Sequence, residues 1–76
     1  MAKIQTIGVG NYIRNPKGIR GVNSRQSNVE ILKIYANNGN SFLCYPVKSV
    51  QSTRVILDTS QYYQIPIDTN VEQATP

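Results

Sequence analysis

The regular alternation of apolar and polar positions is concentrated between residues 29 and 48. The stretches VEILKIYA (29–36) and SFLCYPVK (41–48) flank Asn37-Asn38-Gly39-Asn40. Both are rich in β-branched and aromatic residues at a period near two, the pattern of strands. Asn38-Gly39 between them is the signal of a type I′ hairpin, whose two central residues need positive φ. With Asn38-Gly39 as the loop, Tyr35 opposes Phe42, Ile34 opposes Leu43, Lys33 opposes Cys44 and Leu32 opposes Tyr45. Ile31 then opposes Pro46, and Glu30 opposes Val47. One face carries Leu32, Ile34, Leu43, Tyr45 and Val47 and is expected in the core. The other carries Ile31, Lys33, Tyr35, Phe42, Cys44 and Pro46, and is too apolar for an ordinary wet face. A slip of one residue exchanges the two.

The flanking segments are less regular. KIQTIGV (3–9) reads as a short strand, although Ile4 and Ile7 fall on opposite faces. Gly8 and Gly10 there mark a bulge or a close backbone approach. Residues 11–28 are irregular, with Asn15-Pro16-Lys17-Gly18 as a strong turn signal. STRVILD (52–58) and YYQIPI (62–67) read as two further strands joined by Thr59-Ser60-Gln61. Pro66 cannot donate to a ladder, which marks the last strand as an edge, and Pro46 implies an edge or a bend in 41–48. Residues 68–76 are polar and read as a tail. The expected organisation is thus an irregular arm with one short strand (1–28), a hairpin with two further strands (29–67) and the tail (68–76). The fold class is all-β, a small barrel or sandwich of four to five short, mostly antiparallel strands around a central hairpin.

Size adds a constraint. At 76 residues the chain supports one domain, and a domain this small buries only about 60% of the surface its unfolded form exposes. Disulfides, a structural metal or a partner are the usual supplements. Cys44 is the single cysteine, so no internal disulfide is expected. With no histidine either, a Cys/His zinc site and a bound cofactor are not expected. Association with other subunits is the supplement that remains. Residues 1–9 have one basic residue and no continuous apolar run, so no signal peptide is expected. No stretch reaches the roughly 18 apolar residues of a membrane span. The expectation is a soluble chain made in the cytoplasm, without a membrane partner.

Charge is uneven. Residues 1–28 hold Lys3, Arg14, Lys17, Arg20 and Arg25 and no acid. The remainder holds Lys33, Lys48 and Arg54 against Glu30, Asp58, Asp68 and Glu72, giving +5 and −1 within the net +4. A basic first third points to an anionic partner, nucleic acid or an acidic protein surface; a solvated basic loop gives the same count. For nucleic acid, Arg14, Lys17, Arg20 and Arg25 are the candidate phosphate contacts. Tyr12, Tyr35 and Phe42 are the candidate stacking platforms. An aromatic pair that only stabilises the hairpin explains Tyr35 and Phe42 equally. Catalysis has little to work with. There is no histidine base, the acids are far apart in sequence, and Cys44 reads as a packed thiol unless Lys33 beside it lowers its pKa. The glycines and cations of residues 15–21 lack the spacing of a phosphate-binding loop. No enzyme is expected.

Few charges, many Asn, Gln, Ser, Thr and Tyr, a short β-rich body and extended ends together resemble small structural subunits of phage particles. That resemblance implies a capsid, decoration, connector or tail component, located in the virion after synthesis in the host cytoplasm. Other protein subunits, as a homo- or hetero-oligomer, would be its partners. Ile31, Tyr35, Phe42 and Cys44 are the expected protein interface. The alternative expectation is a small nucleic-acid-binding β-barrel.

Overall fold

The computed structural model describes residues 1–16 and 30–76. Along the chain these form β1 (Ala2–Lys3), α1 (Ile4–Ile7), β2 (Tyr12–Arg14), β3 (Ile31–Asn37) and β4 (Ser41–Gln51). Then come β5 (Arg54–Leu57), β6 (Tyr63–Pro66), β7 (Asn70–Val71) and β8 (Gln73–Ala74). The larger antiparallel sheet runs β5-β4-β3-β2-β8, with β6 also paired to β4, and a second sheet consists of β1 and β7. The protein is therefore all-β, with eight strands among the described residues, several of them only two to four residues long, where four to five were expected. The basic turn from Lys17 onward, with Arg20 and Arg25, lies outside the described residues.

β4 is the strand on which the others are assembled. Phe42 and Cys44 pair with Asn37 and Ile34 of β3, and also with Ile65 and Tyr63 of β6, so β3 and β6 occupy opposite edges. β5 lies on the side away from β3, end to end with β6. Pro46 falls in the gap between β5 and β6. Its C=O accepts the Asp58 N–H at 2.9 Å, and its nitrogen faces that same edge, so the β3 ladder loses no donor. Of the edge or bend expected from Pro46, the edge is corrected, since β4 is an interior strand, whereas the ladder does shift register just beyond it, between Val47 and Ser49. Pro66 does sit in a strand with a single neighbour.

The hairpin forms, with a different register. Its loop is Gly39-Asn40 rather than Asn38-Gly39. The Asn38 N–H donates to the Ser41 C=O at 2.8 Å, and the Gly39 N–H donates to Asn37 Oδ1 at 2.8 Å. Gly39, at φ 94, supplies the positive φ required at the first position of such a loop. A bulge follows between Ile34 and Ala36, so that Asn37 opposes Phe42 and Ala36 opposes Leu43, but Ile34 opposes Cys44 and Leu32 opposes Pro46. The extra residue at Tyr35 exchanges the faces of β4 relative to β3. Phe42, Cys44 and Pro46, expected on the outer face, are buried beside Leu32 and Ile34. Leu43, Tyr45 and Val47, expected in the core, are half-buried on the outer face.

Residues 3–9 are not the strand expected. Ile4 and Ile7 oppose one another on a strand but share one side of a helical turn, and α1 lets both reach the core: Ile4 is buried and Ile7 packs against it. Gly8, at φ 86, ends the turn with its N–H on the Ile4 C=O. Asn11 Nδ2 donates to the Ile7 C=O at 2.7 Å and to the Gly8 C=O at 3.3 Å. The polar C-terminal stretch is likewise not a free tail. β7 pairs with β1 and β8 with β2, the Arg14 N–H donates to the Glu72 C=O at 2.8 Å, and Val71 is buried.

The core comprises Ile4, Ile13, Leu32, Ile34, Phe42, Cys44, Tyr63, Ile65 and Val71, drawn from both sheets and α1, with Ile7 and Ile67 packed at its margin. At the end of β5, the Asp58 carboxylate accepts bonds from the Ser60 hydroxyl, the Gln61 amide and the Ser60 N–H. Those bonds, led by the hydroxyl, hold Asp58 below the usual carboxylate range. Gly39 gives a direct test of the turn. An alanine Cβ there meets nothing within 4 Å, so the penalty is conformational. Gly39→Ala is expected to lower the unfolding free energy by about 1–2 kcal/mol, read as a lower urea midpoint at unchanged m-value.

Candidate interaction face

Directly opposed residues of paired strands point to the same side of a sheet, so the register defines the outer face. Tyr12 of β2 opposes Lys33 of β3, which opposes Tyr45 of β4, and this row crosses three strands. Around it lie Ile31, opposite Arg14, and Leu43, opposite Gln64 of β6. Beyond the end of β3, Val47 opposes Leu57 and Val50 opposes Val55. The result is an aromatic and aliphatic face running from β2 to β5.

Two contacts organise its centre. The Tyr35 and Tyr45 rings meet edge to face, with centroids 5.1 Å apart and planes at 73°, the arrangement favoured by the ring quadrupoles. Lys33 Nζ lies 5.7 Å from the centroid of the Tyr12 ring, within cation–π range. Tyr35 is brought beside Tyr45 by the bulge in β3. It stays 54% exposed, and Val50 at the far end 55%. At the near end, Arg14 Nε is 3.6 Å from Glu72 Oε2, with both side chains largely exposed. An exposed pair of this kind contributes little stability, about 0–1 kcal/mol, but it offsets the charge of the one arginine described in the basic arm.

The expected interface of Ile31, Tyr35, Phe42 and Cys44 is thus divided. Ile31 and Tyr35 lie on the outer face; Phe42 and Cys44 point the other way into the core. Of the expected anion-binding set, Tyr12 and Arg14 lie on the outer face, whereas Lys17, Arg20 and Arg25 lie outside the described residues. Phe42, a buried side chain, is removed as a stacking platform, and Tyr45 takes its place beside Tyr35. The face residues the sequence reading missed are Leu43, Tyr45, Val47, Val50, Val55 and Leu57. Their alternation was visible, but the bulge that selects their side was not.

Cys44 is separated from Lys33, which opposes Tyr45 instead. Its Sγ is 3.8 Å from the Phe42 C=O. Burial pushes the thiol up to about 12, which disfavours the thiolate. Its cross-strand neighbour Tyr63 is buried with no hydrogen-bond partner for its hydroxyl among the described residues. Among those residues no group of three or more His, Cys, Asp or Glu side chains is placed to hold a metal ion, and no helix is long and apolar enough to cross a membrane.

Two measurements follow. Because the unfolded thiol releases its proton first, the Cys44 contribution to stability is intact below pH 9.0 and falls as the pH rises toward about 12. The unfolding midpoint of the native chain is expected to decline over that range relative to Cys44→Ala, which lacks the titration. Tyr63→Phe removes a buried hydroxyl that has no partner among the described residues and is expected to raise the unfolding free energy by about 1 kcal/mol; a comparable loss in urea denaturation would reveal a bond to that hydroxyl.

No protein-family model, curated protein or solved structure matches the chain.

Proposed function

We propose that this chain is a non-enzymatic structural subunit of a larger assembly, of the kind that forms phage capsids, decorations, connectors or tails, residing in the virion after synthesis in the host cytoplasm. The observation that carries the reading is the outer face. Tyr35, Leu43, Tyr45, Val47, Val50, Val55 and Leu57 line an apolar outer face, half-buried to exposed among the described residues. Aromatic residues at the centre of such a face act as anchors in protein interfaces. The sparse charge and the marginal size of the domain agree with stability gained by docking.

The test is the mass of the native particle that contains the chain. A megadalton assembly is expected. Tyr35→Asp, which leaves the core untouched, is expected to weaken incorporation roughly thirtyfold, the loss typical of an aromatic anchor of about 2 kcal/mol. Recovery of the native chain free of any larger particle overturns the reading.

A second reading rests on the Tyr12–Lys33–Tyr45 row with Tyr35 beside it. Rings interleaved with a cation on an open sheet face suit single-stranded nucleic acid, through base stacking and phosphate contact. A fluorescent oligonucleotide is then bound at low salt, and Lys33→Ala, Tyr35→Ala and Arg20→Ala each weaken it. Absence of binding at about 50 mM salt, where phosphate contacts are strong, removes this reading.

A further inference from the structure

The sheet edges differ in how far they are closed to another chain. β6 ends in Pro66, which has no N–H to offer. β8 is a two-residue strand. β5 has four residues, contains no proline, and pairs with β4 alone. Its sequence Arg54-Val55-Ile56-Leu57 is apolar apart from Arg54, and Val55, Ile56 and Leu57 are half-buried.

The hydrogen-bond phase of β5 follows from its neighbours. The Asp58 N–H is bound to the Pro46 C=O, so Asp58, Ile56 and Arg54 direct their backbone groups toward β4. Val55 and Leu57 direct theirs outward, and no described residue bonds to them on that side. An antiparallel copy of β5 centred on Ile56 satisfies these groups reciprocally. Val55 opposes Leu57 of the copy and exchanges both N–H···O=C bonds with it, and Leu57 does the same with Val55 of the copy. Ile56 meets its own counterpart in a close, non-hydrogen-bonded pair. In this register Arg54 stands opposite Asp58 of the copy, twice over, on the same face as the Ile56 pair. On the other face Val55 and Leu57 meet their counterparts, joining the two outer apolar faces into one.

We infer that β5 is a self-complementary edge through which two copies of this chain join, antiparallel about Ile56, into one continuous sheet. The hydrogen-bond phase allows this register, and the Arg54–Asp58 complementarity selects it over a neighbouring one centred on Val55, which would set Arg54 against Ile56. The symmetry is isologous, so the pairing closes at the dimer. It is independent of docking by the outer face: that face contacts the assembly, whereas this edge joins two copies.

Sedimentation equilibrium of the purified chain tests it. At high micromolar concentration the expected mass is twice the 8.5 kDa of one chain. Val55→Pro deletes an outward N–H and no bond to β4. It is expected to yield the single-chain mass with an unchanged far-UV circular dichroism spectrum. Arg54→Asp is expected to weaken self-association roughly tenfold by replacing attraction with repulsion at both pairs. Adding Asp58→Arg to it restores association, an outcome that a merely destabilised strand does not produce. A native chain of single mass at that concentration, or an undiminished dimer of Val55→Pro, overturns the inference. A dimer that enters no larger particle upholds the edge and sinks the assembly reading. A native chain that enters a large particle yet has single mass when purified does the reverse.

Discussion

One inserted residue at Tyr35 determines what this domain shows to solvent. Without the bulge, β4 would turn Leu43, Tyr45 and Val47 inward with Leu32 and Ile34, and would present Phe42, Cys44 and Pro46 outside. With it, a phenylalanine, a small thiol and a proline fill the space between β3, β6 and the α1 turn, while two tyrosines and the aliphatic residues of β4 and β5 form the outer face. The choice has a packing logic. Cys44 and Pro46 are compact enough to lie beneath Leu32 and Ile34 on a short strand pair, and Tyr45 keeps its hydroxyl out of a core that already encloses that of Tyr63. A buried polar group without a partner is costly, and a domain this small tolerates few of them.

The same bulge explains where sequence reasoning succeeded and where it failed. The existence of β3, β4, β5 and β6 was legible because alternation and β-branched residues act locally, and Pro66 marked an edge for a local reason. The face assignment was not legible. It depends on where the loop closes and on an insertion into the ladder, and Asn38-Gly39 and Gly39-Asn40 are both acceptable loop pairs separated by one residue. Ile4 and Ile7 carried a usable signal, since a spacing of three is the spacing of a helical turn. β7 and β8 carried almost none. Val71 is one apolar residue in a polar stretch, and its burial is decided by β1, at the other end of the chain.

The candidate face was legible in part for the same reason. Ile31 and Tyr35 belong to β3, whose inward and outward positions were assigned correctly, whereas Phe42 and Cys44 belong to β4, whose positions were inverted. An apolar excess on both sides of the hairpin survived that inversion, because exchanging faces moves residues without removing the excess. The apolar excess of the hairpin is therefore independent of register, whereas the residues that carry it are not.

The pairing of Ala2–Lys3 with Asn70–Val71, and of Tyr12–Ile13 with Gln73–Ala74, bears on how the chain reaches its fold. These ladders join segments from opposite ends of the sequence, so almost the whole chain must be closed into a loop before they form. Loop closure of that kind comes with an entropic barrier and makes β-rich folding slow. The β3–β4 hairpin, closed by a two-residue loop, can form early. β2 can join β3 of the hairpin, but β1 gains its strand partner, and β2 its second, only when residues 70–74 arrive. During synthesis β1 must wait for the last part of this segment to emerge, with Ile4 beside it lacking Val71 in the meantime.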